Sequence, residues 1–107
     1  MKNKKLAGKV IVISGGTKGV GKAVAEACGK EGATVVIAYY NEEKDAEETK
    51  NFIERMGRTC ELISGDIKDK KVCEKIVEKT IKKMIYMYAL QIEIQMPQVL
   101  LILMIIE

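Results

Sequence analysis

Histidine and tryptophan are absent from the 107 residues, proline and phenylalanine occur once each, and cysteine occurs three times. Without histidine and without a C-x-x-C pair, Cys28, Cys60 and Cys73 have no spacing that builds a zinc site. Their odd number and wide separation read instead as buried free thiols in a reducing cytoplasm. Cys28 and Cys73 fall among apolar positions of predicted helices, and Cys60 opens a predicted strand. Aromatic residues make up 5% of the chain, and no basic stripe interleaves with them, which argues against a nucleic-acid surface. The formal net charge is only +3, with lysines and acids alternating along the predicted helices as solvated faces do. The apolar run Val99 to Ile106 is far shorter than the ~20 residues that span a bilayer. Extending it backwards brings in Pro97 and Glu93. The charged start, Met1-Lys2-Asn3-Lys4-Lys5-Leu6, runs into Gly8 and Lys9 with no small-residue cleavage site, so it does not read as a signal peptide.

The chain is organised around Val10-Ile11-Val12-Ile13-Ser14-Gly15-Gly16-Thr17-Lys18-Gly19-Val20-Gly21. A β-branched apolar run feeds a glycine-spaced turn and then a helix. Such a helix start offers unpaired N–H groups and the positive end of a dipole to a nucleotide phosphate. Gly15 suits a turn conformation closed to other residues. Gly19 allows close approach to a pyrophosphate, and Gly21 allows tight helix–strand packing. Three spaced glycines alone would serve a structural β-α turn equally well. The strand before them and the helix after them favour the nucleotide reading. A Walker-type P-loop is excluded, because Gly21-Lys22-Ala23 lacks the hydroxyl that would hold Mg²⁺.

Periodicity predicts the remaining elements. After a lead-in over Lys4 to Lys9, strand one covers Lys9 to Ser14 and helix one Gly19 to Glu31. Val20, Ala23, Val24, Ala27 and Cys28 form an apolar stripe on that helix. Gly32 ends it as the C′ residue. Strand two is Thr34 to Tyr39. Helix two runs from Glu42 to Met56, with Asn41 as N-cap, Ala46, Ile53 and Met56 inward, and Gly57 closing it. Strand three is Thr59 to Ser64. Helix three is Lys68 to Lys83, with Val72, Ile76, Val77 and Thr80 on one side. The unalternating strands and the β-α-β-α-β-α order predict an α/β fold. They imply a parallel sheet ordered 3-2-1, the N-terminal half of a Rossmann-like doubly wound sheet.

The pattern Ser14-Gly15-x-x-x-Gly19-x-Gly21, so near the start, resembles the cofactor signature of the short-chain dehydrogenase/reductase family. The lead-in Leu6-Ala7-Gly8-Lys9, the stretch Gly32-Ala33-Thr34-Val35-Val36-Ile37 and the stretch Gly65-Asp66-Ile67 continue the resemblance over roughly the first four-fifths of the chain. The resemblance implies a dinucleotide held by Gly15, Thr17, Lys18, Gly19, Val20 and Gly21 in the turn. It adds Tyr40 and Asn41 at the end of strand two, and Asp66 and Ile67 after strand three. Asp66 would bind the adenine amino group with Ile67 beside the ring; alternatively it is a turn or cap residue before helix three. In the family a basic residue at the position of Lys18 goes with NADP, although Lys18 would also pass for an ordinary exposed lysine. An acid about 20 residues past the turn would bind the ribose 2′-hydroxyl and favour NAD. Tyr39-Tyr40-Asn41 stands there instead, so NADP(H) is favoured, with NAD possible.

The family's later parts are missing. It carries an Asn-Asn-Ala-Gly-like motif after strand four, then a catalytic Ser, then Tyr-x-x-x-Lys. The only Tyr-x-x-x-Lys in this chain, Tyr40 to Lys44, lies at the adenosine end and is rejected as a catalytic pair. Residues 1–83 thus read as the dinucleotide-binding half and 84–107 as an atypical apolar tail. In a shifted frame, codon degeneracy allows Asp-Ile-Tyr-Val-Cys-Ile-Ala-Asn across Met84 to Ile92, in the manner of sugar and polyol reductases. The expectation is an oxidoreductase fragment that binds cofactor and catalyses nothing alone. The rival reading is a non-catalytic Rossmann-like interaction module. That module would be held by a partner, or by a second copy, through the apolar run Val99 to Ile106; the tail otherwise reads as a buried fourth strand.

Overall fold

The middle strand has no exposed side to show. The computed structural model describes residues 4–93. Its elements are β1 (Val10–Ser14), α1 (Gly19–Lys30), β2 (Thr34–Tyr39), α2 (Glu43–Arg55), β3 (Cys60–Ser64) and α3 (Lys70–Glu93). Val35, Val36 and Ile37 of β2 are all 0% exposed. A parallel strand covered on both faces must be apolar at consecutive positions, which is why β2 shows no alternation. Both neighbours pair with it in parallel, with Val12 opposite Val36 and Leu62 opposite Ile37. The order β1-β2-β3 is the 3-2-1 arrangement expected of the first half of a doubly wound sheet.

Pleating sends alternate residues to the two faces. On one face Ile11, Ile13, Val35, Ile37, Cys60 and Leu62 meet Ala25 of α1 and Ile53 of α2. Full burial of an Ile or Val such as Ile37, Ile53 or Val35 contributes about 1.5–3 kcal/mol. The other face carries Val12, Val36 and Glu61 in register. There α3 returns towards β1, and Lys83 of α3 pairs with Glu61 at 2.9 Å.

Four sequence expectations need correction. On α1 the fully buried positions are Ala25 and Gly29, whereas Val20 and Val24 are 82% and 44% exposed. A Cβ on Gly29 would already stand 3.3 Å from the Ile53 and Met56 side chains. The approach of α2 therefore admits only small residues on the inward face of α1, while Val20, Ala23, Val24 and Ala27 of the predicted stripe are exposed and Cys28 is half-buried. Asn41 is not the N-cap of α2. It holds a left-handed φ of 59°, and Glu42 takes the cap position without a side-chain capping bond. Cys73 is exposed and Val77 lies outward, because α3 faces inward along Val72, Ile76 and Thr80. Finally, α3 continues to Glu93. No glycine or proline interrupts 66–96, and Ala, Leu, Met, Gln and Glu are good helix formers. On α2, Ala46 and Ile53 are inward as expected, joined by Thr49. The run Val99 to Ile106, with the fourth strand or self-association expected of it, lies outside the described residues. Among the described residues no helix is long and apolar enough to cross a membrane.

Candidate functional site

The three strands end together. Gly15 N–H donates to the Ala38 carbonyl at 2.9 Å, and Gly65 N–H to the Tyr39 carbonyl at 2.9 Å, so the chain leaves each strand still tied to its neighbour. Above these ends lies a cleft of about 210 Å³ lined by Ser14, Gly15, Tyr40, Glu42, Asp66 and Ile67, among others. Ligands of open α/β sheets bind at the carboxyl ends of the strands. A larger hollow of about 310 Å³ lies between β3 and α3, lined by Glu61, Lys79, Lys82, Lys83 and Tyr86. Lys83 and Lys82 there already pair with Glu61 and Glu78, and the described residues that line it lie within β3 and α3, not at a strand end or helix start. We place the site at the strand ends.

The turn has the shape a phosphate requires. Gly15 and Gly19 hold φ of 76° and 60°, and a Cβ on either would meet nothing within 4 Å. A Cβ on Gly21 would overlap the Gly15 carbonyl oxygen, so only glycine lets α1 start this close to β1. Lys18 occupies the N-cap of α1 in extended conformation, with no side-chain capping bond, and the first turn of α1 contains no acid. The positive end of the helix dipole is therefore not compensated from within α1. Open backbone at two glycines beside an uncapped helix start fits a pyrophosphate.

The expected residues separate into three groups. Gly15, Tyr40, Asp66 and Ile67 share the strand-end cleft. Tyr40 and Ile67 are 56% and 51% exposed, which leaves their faces free for a ring. Asp66 Oδ1 accepts from the Lys68 N–H at 2.9 Å, so part of its carboxylate already shapes the turn before α3. Lys18, Gly19 and Gly21 form the helix start. Val20 points to solvent, Asn41 turns the chain out of β2, and Thr17 is buried.

Two residues that brace the candidate site carry no signal in the sequence pattern. Lys18 Nζ lies 2.7 Å from Glu42 Oε2, and Thr17 Oγ1 donates to Glu42 Oε1 at 3.1 Å. The hydrogen bond to Glu42, then its charge, raises the Lys18 ammonium above its ordinary 10.5. The bond from Lys18 leads in holding the Glu42 carboxyl below 4.5; burial opposes it, and the Thr17 hydroxyl assists. Glu42 stands one residue beyond Tyr39-Tyr40-Asn41, the stretch where an acid about 20 residues past the turn is expected. The second is Thr49, fully buried on α2, whose hydroxyl lies 3.2 Å from the Thr17 carbonyl and 3.1 Å from that of Asp45. From sequence alone, a threonine on an inward helix stripe reads as core.

The fold is that of the N-terminal half of a Rossmann-like α/β sheet. Within that class the chain belongs to the short chain dehydrogenase family, whose family model matches residues 9–92. It is 49% identical over 80 residues to general stress protein 39 of Bacillus subtilis (strain 168), covering 75% of this chain and 28% of that one. Its fold resembles a dehydrogenase/reductase from Sinorhizobium meliloti 1021, with TM-score 0.71 and 30% identity over 77% of this chain and 32% of that one. It also resembles a short chain dehydrogenase from Burkholderia cenocepacia J2315 in complex with NADP. There the TM-score is 0.71 and the identity 29%, over 75% of this chain and 33% of that one. The chain thus spans about a third or less of the length of these relatives.

Proposed function

We propose that this chain is the cofactor-binding half of an NAD(P)-dependent oxidoreductase, with NADP(H) favoured. The observation that carries this reading is the uncapped start of α1, set by Gly15, Gly19 and Gly21 at the mouth of the strand-end cleft. The backbone N–H groups of the turn would hold the pyrophosphate. Asp66 would accept from the adenine amino group, with Tyr40 and Ile67 against the ring. Lys18, 70% exposed on a flexible stem, would reach a 2′-phosphate. The bound nicotinamide would supply hydride chemistry for a carbonyl or alcohol, of sugar or polyol type by the tail's shifted-frame reading.

On this reading the chain alone binds without catalysing. Its one Tyr-x-x-x-Lys, Tyr40 to Lys44, sits at the adenosine end of β2, on the wrong side of the pyrophosphate for a proton donor to the reacting carbon. The three cysteines are unpaired, which supports a reducing cytoplasm as its place. On the same reading the cofactor-binding half ends at the change in composition at 83/84, which falls within α3. The test is a fluorescence titration of the full chain with NADPH and with NADH. Saturable binding of both, tighter for NADPH, and no turnover of carbonyl substrates is the expected result. A cooperatively folded chain that binds neither overturns the reading.

A further inference from the structure

We propose that Glu42 acts as a latch on Lys18 and limits the preference for NADP(H), so that removing its charge sharpens discrimination between the two nicotinamide cofactors. This rests on the dinucleotide reading above and deepens it. The geometry separates a fixed member from a moving one. Glu42 is 25% exposed and holds both oxygens engaged, Oε2 with Lys18 at 2.7 Å and Oε1 with the Thr17 hydroxyl at 3.1 Å. Thr17 is itself buried, and its carbonyl is held by the buried Thr49 hydroxyl at 3.2 Å. Glu42 is thus anchored through Thr17 to the turn and through the backbone to α2. Lys18 is 70% exposed, and among the described residues its ammonium pairs with Glu42 alone, so it is the part that swings.

A 2′-phosphate carries roughly two negative charges near neutral pH. In the latched state it meets a lysine already neutralised by a carboxylate beside it, and the carboxylate repels it. To use Lys18 the phosphate must displace Glu42 as partner, and the displaced carboxylate stays close because Thr17 holds it. NADH brings a hydroxyl at that position and leaves the pair undisturbed. Glu42 is therefore a positioning residue: it sets what Lys18 can offer. Each of its oxygens already accepts from a protein donor, and the titration below separates the latch from the other role an acid here would have, direct acceptance from the ribose 2′-hydroxyl.

The test uses the full chain in four forms: unaltered, Glu42→Gln, Lys18→Gln and the double variant. Gln keeps an oxygen acceptor for Thr17 and removes only the charge. NADPH and NADH are titrated into each by fluorescence, with far-ultraviolet circular dichroism confirming the fold. Glu42→Gln should tighten NADPH roughly threefold to tenfold, the scale of a partly exposed charge pair or somewhat above it. NADH should stay within about twofold, and the NADPH gain should shrink in the Lys18→Gln background. Weaker NADH with unchanged NADPH would overturn the latch and make Glu42 a ribose ligand. Equal shifts for both nucleotides would overturn it in favour of a purely structural role. Failure of all four folded chains to bind either nucleotide would overturn the cofactor reading, and the latch with it.

Discussion

The α-carbon of Gly21 faces the carbonyl oxygen of Gly15 so closely that a Cβ would overlap it, and this contact fixes the start of α1 against the end of β1. Gly19, two residues earlier, has open space around it and a φ of 60°. The two glycines therefore fail in different ways. Gly21→Ala forces backbone apart and should cost about 3 kcal/mol, the upper range for overpacking. Gly19→Ala meets no atom and should cost about 1 kcal/mol through its left-handed backbone. Urea unfolding separates them, and comparable costs would contradict the packing described. Both should lose cofactor affinity.

Thr49→Val should destabilise by about 1–2 kcal/mol. The shape is kept, but the buried Thr17 carbonyl loses its hydroxyl partner from α2. Thermal unfolding of the variant measures the cost, and an unchanged midpoint would show that the hydroxyl contributes nothing to holding the turn.

The thiols should react in a fixed order. Cys73 is exposed and should be modified first by a thiol reagent in the folded chain, although its Sγ donates to the Ile67 carbonyl at 3.0 Å. Cys60 is 2% exposed, and burial pushes its thiol up to about 12. It should resist until denaturant is added. Mass spectrometry of the partly modified chain gives the order, and early labelling of Cys60 would contradict the placement of β3.

The Lys18–Glu42 pair predicts a pH signature. Glu42 has a lowered value, so its contribution to stability is fully present above 4.5 and lost as pH falls through that lowered value. Lys18 has a raised value, so its contribution is fully present below 10.5 and lost as pH rises through the raised value. The difference in melting temperature between the unaltered chain and Glu42→Gln should stay level between 4.5 and 10.5 and shrink on acidification below 4.5. A difference that grows on acidification would have the wrong sign for this pair.

The backbone plan was legible because each of its signals is local. β2 reads as a fully covered strand from its unbroken apolar run, and Gly15 and Gly21 mark the turn from spacing alone. The faces of α1 were not legible. Hydrophobicity ranks Val20 and Val24 above Ala25 and Gly29, yet the approach of Ile53 and Met56 admits only the small residues. The position of a charge after a strand end also depends on how the chain turns. Asn41, in the left-handed conformation, comes between Tyr40 and Glu42, whose carboxylate meets Lys18. Nothing local to Tyr39-Tyr40-Asn41 encodes that, nor does a helical threonine announce that its hydroxyl holds the Thr17 carbonyl.

The most direct test of the central claim is an amide NMR titration of the nitrogen-labelled full chain with NADP⁺. The account predicts saturable shifts at Ser14, Gly15, Gly19, Val20 and Asp66, around the glycine turn and the strand ends, with Lys79, Lys82 and Lys83 unmoved. Shifts confined to Glu61, Lys79 and Lys83, or none in a chain whose spectrum is that of a folded protein, would contradict it.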